Sequence, residues 1–536
     1  MAQTGLGTGL SSAFTISTAA ASPESTFANP RQDATAQSMA STCYQALRSG
    51  LRNCDITKND YLLPGLVESV ITVQTAKAML PAPQMQPWIP RIFTRGRGSN
   101  SEFDNAILRA RKVIAILVFS ETHEKIQELL NDGITDQDLP LRRGPGPGCP
   151  FISQCGTRQF PAFQAWTEPA VDRFHQWQYR VLVPDVEIPL GTVDNVPNIL
   201  LHPGCGLPFS CEQISDGTQS GYSDVFKAGL LNAPPGPSQN RKPHGPPDKR
   251  QFAIKKFFKR DDFLKERENL DKLRGNGINN PHLAQHLAVC EEIPCLIFPW
   301  ADGGDLKQFW EVNKPGGAAQ ELDPVADIVP WSLRQMLGIS RAVNDLHSIN
   351  CRHGDIKPGN ILHFPGEGGD LGLLKLADVG VAKVHVQTTW NRNGGTSTKA
   401  STLAYEAPEA EDPAAINAPR SRAYDLWSLG CVIIEFAQWH LHGNEGLRSF
   451  ESERHPGTYR FYERINTGGG HPPTVFVHPA VDRMIANLGK HEQYRGSVLE
   501  MAVKLARDRL LVIEPSKRIT AEELCRQLEG IIKGMD

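Results

Sequence analysis

The stretch CRHGDIKPGNIL, residues 351–362, constrains this chain more than any other. It sets a His, an Asp, a Lys and an Asn within residues 353–360 and closes on the apolar pair Ile361 and Leu362. Polar and charged side chains flanked by apolar ones must find partners or water. The string therefore reads as a turn between buried elements, built to hold something charged.

A chain of 536 residues exceeds what one hydrophobic core covers, so two or more domains are expected. At 40% hydrophobic residues it falls in the soluble globular class. The longest apolar run, VIAILVFS at 113–120, is far too short to span a bilayer and reads as a buried helix turn, so no membrane partner is expected. Residues 1–40 have neither a basic start nor an apolar block before a cleavage site, which predicts a disordered tail rather than a secretory signal. Eleven cysteines, an odd number spread along the chain, suit a reducing compartment, cytoplasmic or nuclear. Cys149 and Cys155, and again Cys205 and Cys211, lie six apart without a nearby His pair, and read as packing residues rather than zinc ligands. A net charge of −3 gives no electrostatic reason to expect nucleic acid.

Residues 41–145 carry apolar positions at helical spacing, for example Leu62, Leu66, Val67 and Val70, then Ile107, Ala110, Ile114 and Leu117. The Gly/Pro/Arg stretch LPLRRGPGPGCP separates them from a connector, residues 146–204, whose Phe163, Trp166, Phe174, Trp177 and Tyr179 read as packing against the following domain. From Leu207 onward β-like runs (DVFKAGLL, QFAIKKFF, PCLIFPW) are mixed with a helix over 261–274, and the Pro-rich basic insertion at 232–250 reads as a solvated loop. Beyond ADGGDL the chain turns helical, with Leu333, Met336, Leu337, Val343 and Leu346 on one stripe.

Phosphoryl transfer asks for a grip on phosphates, hard oxygen ligands for magnesium and a group that orients the attacking hydroxyl. Asp355 suits the last role, Asn360 can reach a metal from the same loop, and Lys357 can neutralise a migrating phosphate. In LKLADVG a β-like run delivers Asp378, followed by Val379 and Gly380, as a second oxygen ligand at the end of a short strand. Lys255, inside the strand FAIKKFF, needs an acidic partner, and the helix after it offers Glu266 or Glu268. The register, three after Phe263 and four before Leu270, favours Glu266.

Taken in order, Lys255, Glu266, GGDL, HGDIKPGN, DVG, the APE of Ala407 to Glu409, DLWSLG at 425–430 and Arg518 resemble the eukaryotic protein kinase set. The resemblance covers about 320 residues and is similar, in its leader QWQYRVLVPDVEI, to uncharacterised kinases of filamentous fungi. It implies an α+β, bilobal protein-kinase-like fold over 205–534, with a small β-rich lobe (205–300) and a large helical lobe (301–534), after a mainly helical N-terminal region. It further implies ATP and Mg²⁺ as cofactors and a protein substrate, with Lys357 pointing to the serine/threonine type.

By the same resemblance Asp355, Lys357, Lys255, Glu266 and Thr402 form the catalytic set, and Asn360 and Asp378 the metal ligands. The nucleotide contacts are Thr218, Ser220, Gly221, Tyr222 and Val225 in the loop where the family has glycines, then Ala253, Lys255, Phe298, Pro299, Trp300, Ala301, Asp305 and Leu362, with Asn360 and Asp378. Asp305 can bond a ribose or cap the helix beginning at Leu306. Glu409 would pair with Arg518, and Asp425 would hold the catalytic-loop backbone. Thr218, Ser220 and Ser223 in place of glycines predict weakened nucleotide affinity, and Gly354 in place of the usual Arg predicts activity that does not depend strictly on loop phosphorylation. The rival readings are a pseudokinase scaffold, prompted by those two departures, and a small-molecule kinase of the aminoglycoside-phosphotransferase type, which shares only the His-Gly-Asp.

Overall fold

The computed structural model describes residues 30–80, 100–146, 149–189, 191, 193–214, 222–231, 250–313, 328–367, 371–379, 403–411, 421–454, 459–465 and 473–535. The chain divides into two compact units, the first made of residues up to Ser49 together with Val70–His175, the second of Gly50–Ser69 and everything from Gln176.

In the first unit the helix Pro30–Ser49, which starts inside the stretch read as a disordered tail and buries Ala36 and Ala40, meets the helix Arg111–Phe119, whose residues Val113 to Phe119 are all buried. Tyr44 and Phe119 meet edge-on at 5.8 Å. The apolar run at 113–120 is thus a core helix, as its length and flanking charge require. The Gly/Pro/Arg stretch is not a mere separator. Arg142–Gly146 pairs with Cys149–Ile152 as an antiparallel hairpin, the register shifting between Arg143 and Gly146 where Pro145 has no N–H to give the ladder. Phe151 of that hairpin packs on Phe163 (4.8 Å) and Phe174 (5.5 Å), and Trp166 closes on Phe163 at 4.7 Å. Phe163, Trp166 and Phe174 therefore pack on one another inside the first unit instead of on the next domain, whereas Tyr179 does pack on the core of the second unit. All the cysteines described are free. Cys205 is buried, but Cys155 is exposed, which corrects the packing assignment there.

The second unit opens with a five-stranded antiparallel sheet: β1 (Phe209–Gln213), β2 (Ser223–Leu230), β3 (Gln251–Phe257), β4 (Ala288–Cys290) and β5 (Cys295–Pro299), in spatial order β1-β2-β3-β5-β4. The helix α1 (Arg260–Gly275) lies between β3 and β4 in sequence. The two-residue period of β3 sends its faces to different cores. Phe257 joins a cluster containing Phe263 and Leu270 of α1, whereas Phe252 and Ile254 face Val183, Val186, Ile188, Ile199, Leu201 and Leu207. The connector before residue 207 is thus a wall of the sheet, and Lys256 donates across it to the Ile56 carbonyl at 2.7 Å. Pro197 to Ile199 also pair in parallel along β4 through Ile199 N–Val289 O (2.7 Å) and Val289 N–Pro197 O (3.0 Å), covering that sheet edge.

After β5 the chain becomes helical: α2 (Leu306–Val312), α3 (Ile328–Ser348), a hairpin of β6 (Ile361–Phe364) and β7 (Leu373–Leu376), α4 (Ala423–Glu453) and α5 (Ala521–Lys533) among others. The stripe read on α3 is buried throughout, and α3 packs on α4 and α5. α4 is broken at Gly443, whose φ of +61° and ψ of −161° leave the helical region. Among the described residues no helix is long and apolar enough to cross a membrane.

Candidate active site

Lys255 stands on the α1 face of β3, 4% exposed, and its ammonium is fully engaged. Nζ donates to Glu266 Oε1 and Oε2 at 2.9 and 2.7 Å and to Asp378 Oδ1 at 2.8 Å. Glu266, itself 1% exposed, is the partner that the helical register favoured; Glu268 lies on the outer side of α1 in an ion pair with Lys272. Burial alone drives the Lys255 ammonium toward neutrality, but the Asp378 and Glu266 carboxylates outweigh it and hold its pKa above the usual lysine range. Burial pushes the Glu266 carboxyl up to about 7, an effect Lys255 offsets only in part. For Asp378 the balance tips the other way: burial raises it, yet Lys255 wins and keeps it below the ordinary carboxylate range.

Asp378 has φ of +64°, a left-handed conformation that non-glycine residues adopt at a cost. The loop around His353 and Asn360 supports it from behind. Ala377 N donates to the Asn360 carbonyl at 2.9 Å, and His353 Nε2 meets the Ala377 carbonyl at 2.7 Å. The Asp355 backbone N–H donates to His353 Nδ1 at 3.3 Å, so Nε2 carries the proton.

Within the loop Lys357 Nζ lies 2.9 Å from Asp355 Oδ2, and Asn360 Nδ2 donates to the Asp355 carbonyl and Oδ2 at 2.7 and 2.9 Å. Only an amide nitrogen can serve two acceptors, so the Asn360 Oδ1 is the oxygen left to ligate. Gly354 has φ of +79°, where a side chain would be strained. Glycine here is thus a backbone requirement as well as the loss of a guanidinium. The whole loop hangs from Asp425, which has no exposed surface: Oδ1 accepts from Gly354 N (2.7 Å), Oδ2 from His353 N (2.9 Å) and His347 Nε2 (2.9 Å). Burial works against that charge, but the two histidines and the Gly354 N–H prevail and lower its pKa.

Ala253 pairs with Phe298 across β3 and β5, and Pro299, Trp300 and Ala301 lead from β5 into the helical lobe. Trp300 N donates to the Gln251 carbonyl at 3.2 Å. Asp305 caps α2: Oδ1 accepts from Gln308 N at 2.8 Å, and Gln308 Oε1 accepts from Asp305 N at 3.1 Å. Its backbone also bridges Leu362 on β6. Val225 on β2 is 37% exposed, and Tyr222 is buried beside Asp378 and Asp355; burial, reinforced by those carboxylates, pushes its phenol far above the usual range. Thr218, Ser220, Gly221 and Thr402 lie outside the described residues.

Arg518 pairs with Glu409 at 2.7 and 2.8 Å, and its remaining donors go to the carbonyls of Val512 (2.7 Å), Ala423 (2.9 Å) and Ile513 (3.3 Å). Its guanidinium lies over the Trp427 ring at 5.2 Å.

A model of the protein kinase domain matches residues 246–528, more than half of the chain. The chain belongs to the protein kinase family. Among curated proteins, this kinase is 32% identical over 149 residues to a probable myosin light chain kinase of Dictyostelium discoideum, covering 28% of this chain and 26% of that one. It is 30% identical over 229 residues to U-box domain-containing protein 34 of Arabidopsis thaliana (40% and 24%). It is 29% identical over 209 residues to the serine/threonine-protein kinase RAD53 of Saccharomyces cerevisiae (35% and 22%). The chain thus spans about a quarter of the length of these relatives.

Sequence reasoning assigned no role to His353 or His347, which fix the loop to Ala377 and Asp425. Their spacing of six, in HSINCRH, was the available signal, but nothing local says that both rings reach partners far along the chain.

Proposed function

We propose that the kinase is catalytically active and transfers the γ-phosphate of ATP to a serine or threonine hydroxyl of a protein substrate, with magnesium. The observation that carries this reading is the meeting of Lys255, Glu266 and Asp378 with Asp355, Lys357 and Asn360 between the two lobes. The set suits hard cations and phosphate: three carboxylates, one amide oxygen and two ammonium groups. Asp378 and Asn360 Oδ1 would hold magnesium, which supplies charge neutralisation on the phosphate oxygens.

The chain's own groups would do the rest. Lys255, oriented by Glu266, would hold the α- and β-phosphates. Asp378, whose carboxylate now meets Lys255, would be freed to hold the metal. Asp355 accepts the substrate hydroxyl's hydrogen bond, with the Asn360 Nδ2 contact aligning its carboxylate. Lys357, already within reach of Asp355, would steady the charge that develops on the transferred group. The strained backbone at Asp378 supports the reading, because such a conformation persists only where its surroundings impose it.

The test is transfer of labelled γ-phosphate from ATP to a generic basic protein and to the kinase itself, comparing wild type with Asp355→Asn. Incorporation should fall on the order of 10²- to 10⁴-fold in the variant. Equal incorporation by both proteins would remove Asp355 from the mechanism. No incorporation by either, with nucleotide still raising the melting temperature, would favour the scaffold reading.

A further inference from the structure

The outer face of α1 carries a second polar site, apart from the nucleotide cleft. A cleft of about 480 Å³ opens between α1, β4 and the segment that covers β4's edge, lined among others by Asp194, Asn198, Arg267, Asp271, Arg274 and His286. His286 is 1% exposed, and neither ring nitrogen has a hydrogen-bond partner among the described residues. Asp271 Oδ1 is 3.8 Å from Nε2, beyond hydrogen-bonding range. A buried polar ring without partners is costly, and native structures seldom leave one without a reason. Burial and the two arginines push its pKa down to about 3, so at neutral pH it offers one N–H donor and one acceptor.

Of the two cations beside it, Arg267 is held by Glu291 and Arg274 only loosely. Arg274 reaches Asp271 Oδ1 and the His286 carbonyl at 3.4 Å each, and Arg267 Nε reaches Asp271 Oδ2 at 3.4 Å while its other end pairs with Glu291. Charged hydrogen bonds normally close to about 2.7–2.9 Å. Arg274 therefore keeps donor capacity for a carboxylate. A polyanion is disfavoured, because Asp194, Asp271 and Glu291 outnumber the two guanidiniums. A simple cation is disfavoured by those same guanidiniums. The occupant that satisfies both signs, and gives His286 a donor and an acceptor, is a small molecule carrying a carboxylate next to an amino group.

We propose that this cleft is an effector site for a free α-amino acid. Its carboxylate sits on Arg274, its ammonium faces Asp194 and Asp271, and its polar atoms engage His286. The site is wired to catalysis by position. Arg267 follows Glu266 directly on α1, and the His286 ring meets Phe298 edge-on at 6.3 Å. An occupant that fixes α1 against β4 also fixes the carboxylate that orients Lys255, so it should change nucleotide affinity.

The experiment uses the full chain without nucleotide. Each standard L-amino acid is screened by thermal shift, and those that stabilise are titrated calorimetrically into wild type, His286→Phe, Arg274→Met and Asp355→Asn. His286→Phe keeps the ring against Phe298 while deleting both nitrogens, so its own melting temperature should hold or rise. The expected result is saturable binding by wild type and Asp355→Asn, weakened on the order of tenfold or more in the other two. Absence of saturation by every amino acid up to about 10 mM, or a dissociation constant unchanged in His286→Phe and Arg274→Met, would overturn the proposal. Because binding is read without ATP, the outcome does not depend on whether the kinase is active.

Discussion

Lys255 and Arg518 are both buried cations paired with a glutamate, yet they are built to opposite ends. Lys255 divides its three donors between Glu266 and Asp378, and Asp378 retains 33% of its side-chain surface, so one of its partners can leave. Arg518 directs all five donors to Glu409 and three carbonyls, its side chain fully enclosed and backed by Trp427. A site that must accept a ligand keeps an exchangeable partner. A clamp that must hold helices together leaves none.

The comparison breaks first at Lys255. In the Lys255→Met variant phosphate transfer should fall on the order of 10²- to 10³-fold, the scale of removing one preorganised charge from a transition state. Folding should suffer less, because Glu266 can take up a proton. Its pKa is already raised in the folded state, and removing Lys255 removes the offset to burial, so the folded value rises further. A carboxyl raised on folding contributes stability below its unfolded pKa that is lost as pH climbs through the folded value. The variant's stability deficit, read by urea unfolding across pH, should therefore be smallest in acid and grow above neutrality. A deficit independent of pH would mean that Glu266 stays ionised.

Arg518→Leu should show the reverse pattern. Removing one partner of a buried pair costs about 3–5 kcal/mol, here with three carbonyls orphaned as well. Urea unfolding should register that loss, while transfer per folded molecule should stay near wild type because Arg518 touches neither Asp355 nor Asp378. A variant that folds normally but loses transfer would show that the clamp also sets the site's geometry.

Gly354→Ala probes the loop between these two regions. A Cβ at φ of +79° costs roughly 1–2 kcal/mol, and the strain falls on the very N–H that Asp425 holds. Transfer should drop more than stability does, because Asp355 is the next residue. Equal stability and equal transfer would show that the loop's φ is not imposed.

Much of this was legible before any coordinates. The motif string placed Asp355, Asn360 and Asp378, and helical periodicity chose Glu266 over Glu268. That is because loop chemistry and helix faces are written locally. What escaped depends on contacts distant in sequence: the rings of His347 and His353, the parallel pairing of Pro197–Ile199 with β4, and the unpartnered His286 on the far side of α1. A short parallel bridge leaves no period in the sequence, and an aromatic-rich run does not say against which unit it packs. The hairpin at 142–152 was hidden for the opposite reason, since its Gly and Pro residues read as punctuation.

The smallest expected effect lies in the first unit, far from either cation in sequence. Cys155 is exposed, and its thiol is flanked by the Ser153 hydroxyl at 3.2 Å and the Thr157 hydroxyl at 2.8 Å. The Ser153 hydrogen bond first, then those from Thr157, lower its pKa to about 7. A thiolate is the nucleophile, so alkylation of Cys155 by iodoacetamide should rise through pH about 7 rather than through the usual thiol range of about 8.5. Peptide mapping should find it modified ahead of the buried Cys43, Cys54, Cys205 and Cys431. Nothing in the packing depends on this sulfur, so the alkylated protein should melt and transfer phosphate as the unmodified one does. Ser153→Ala should move the alkylation midpoint upward, and a midpoint that stays put would mean that the hydroxyl does not hold the thiolate.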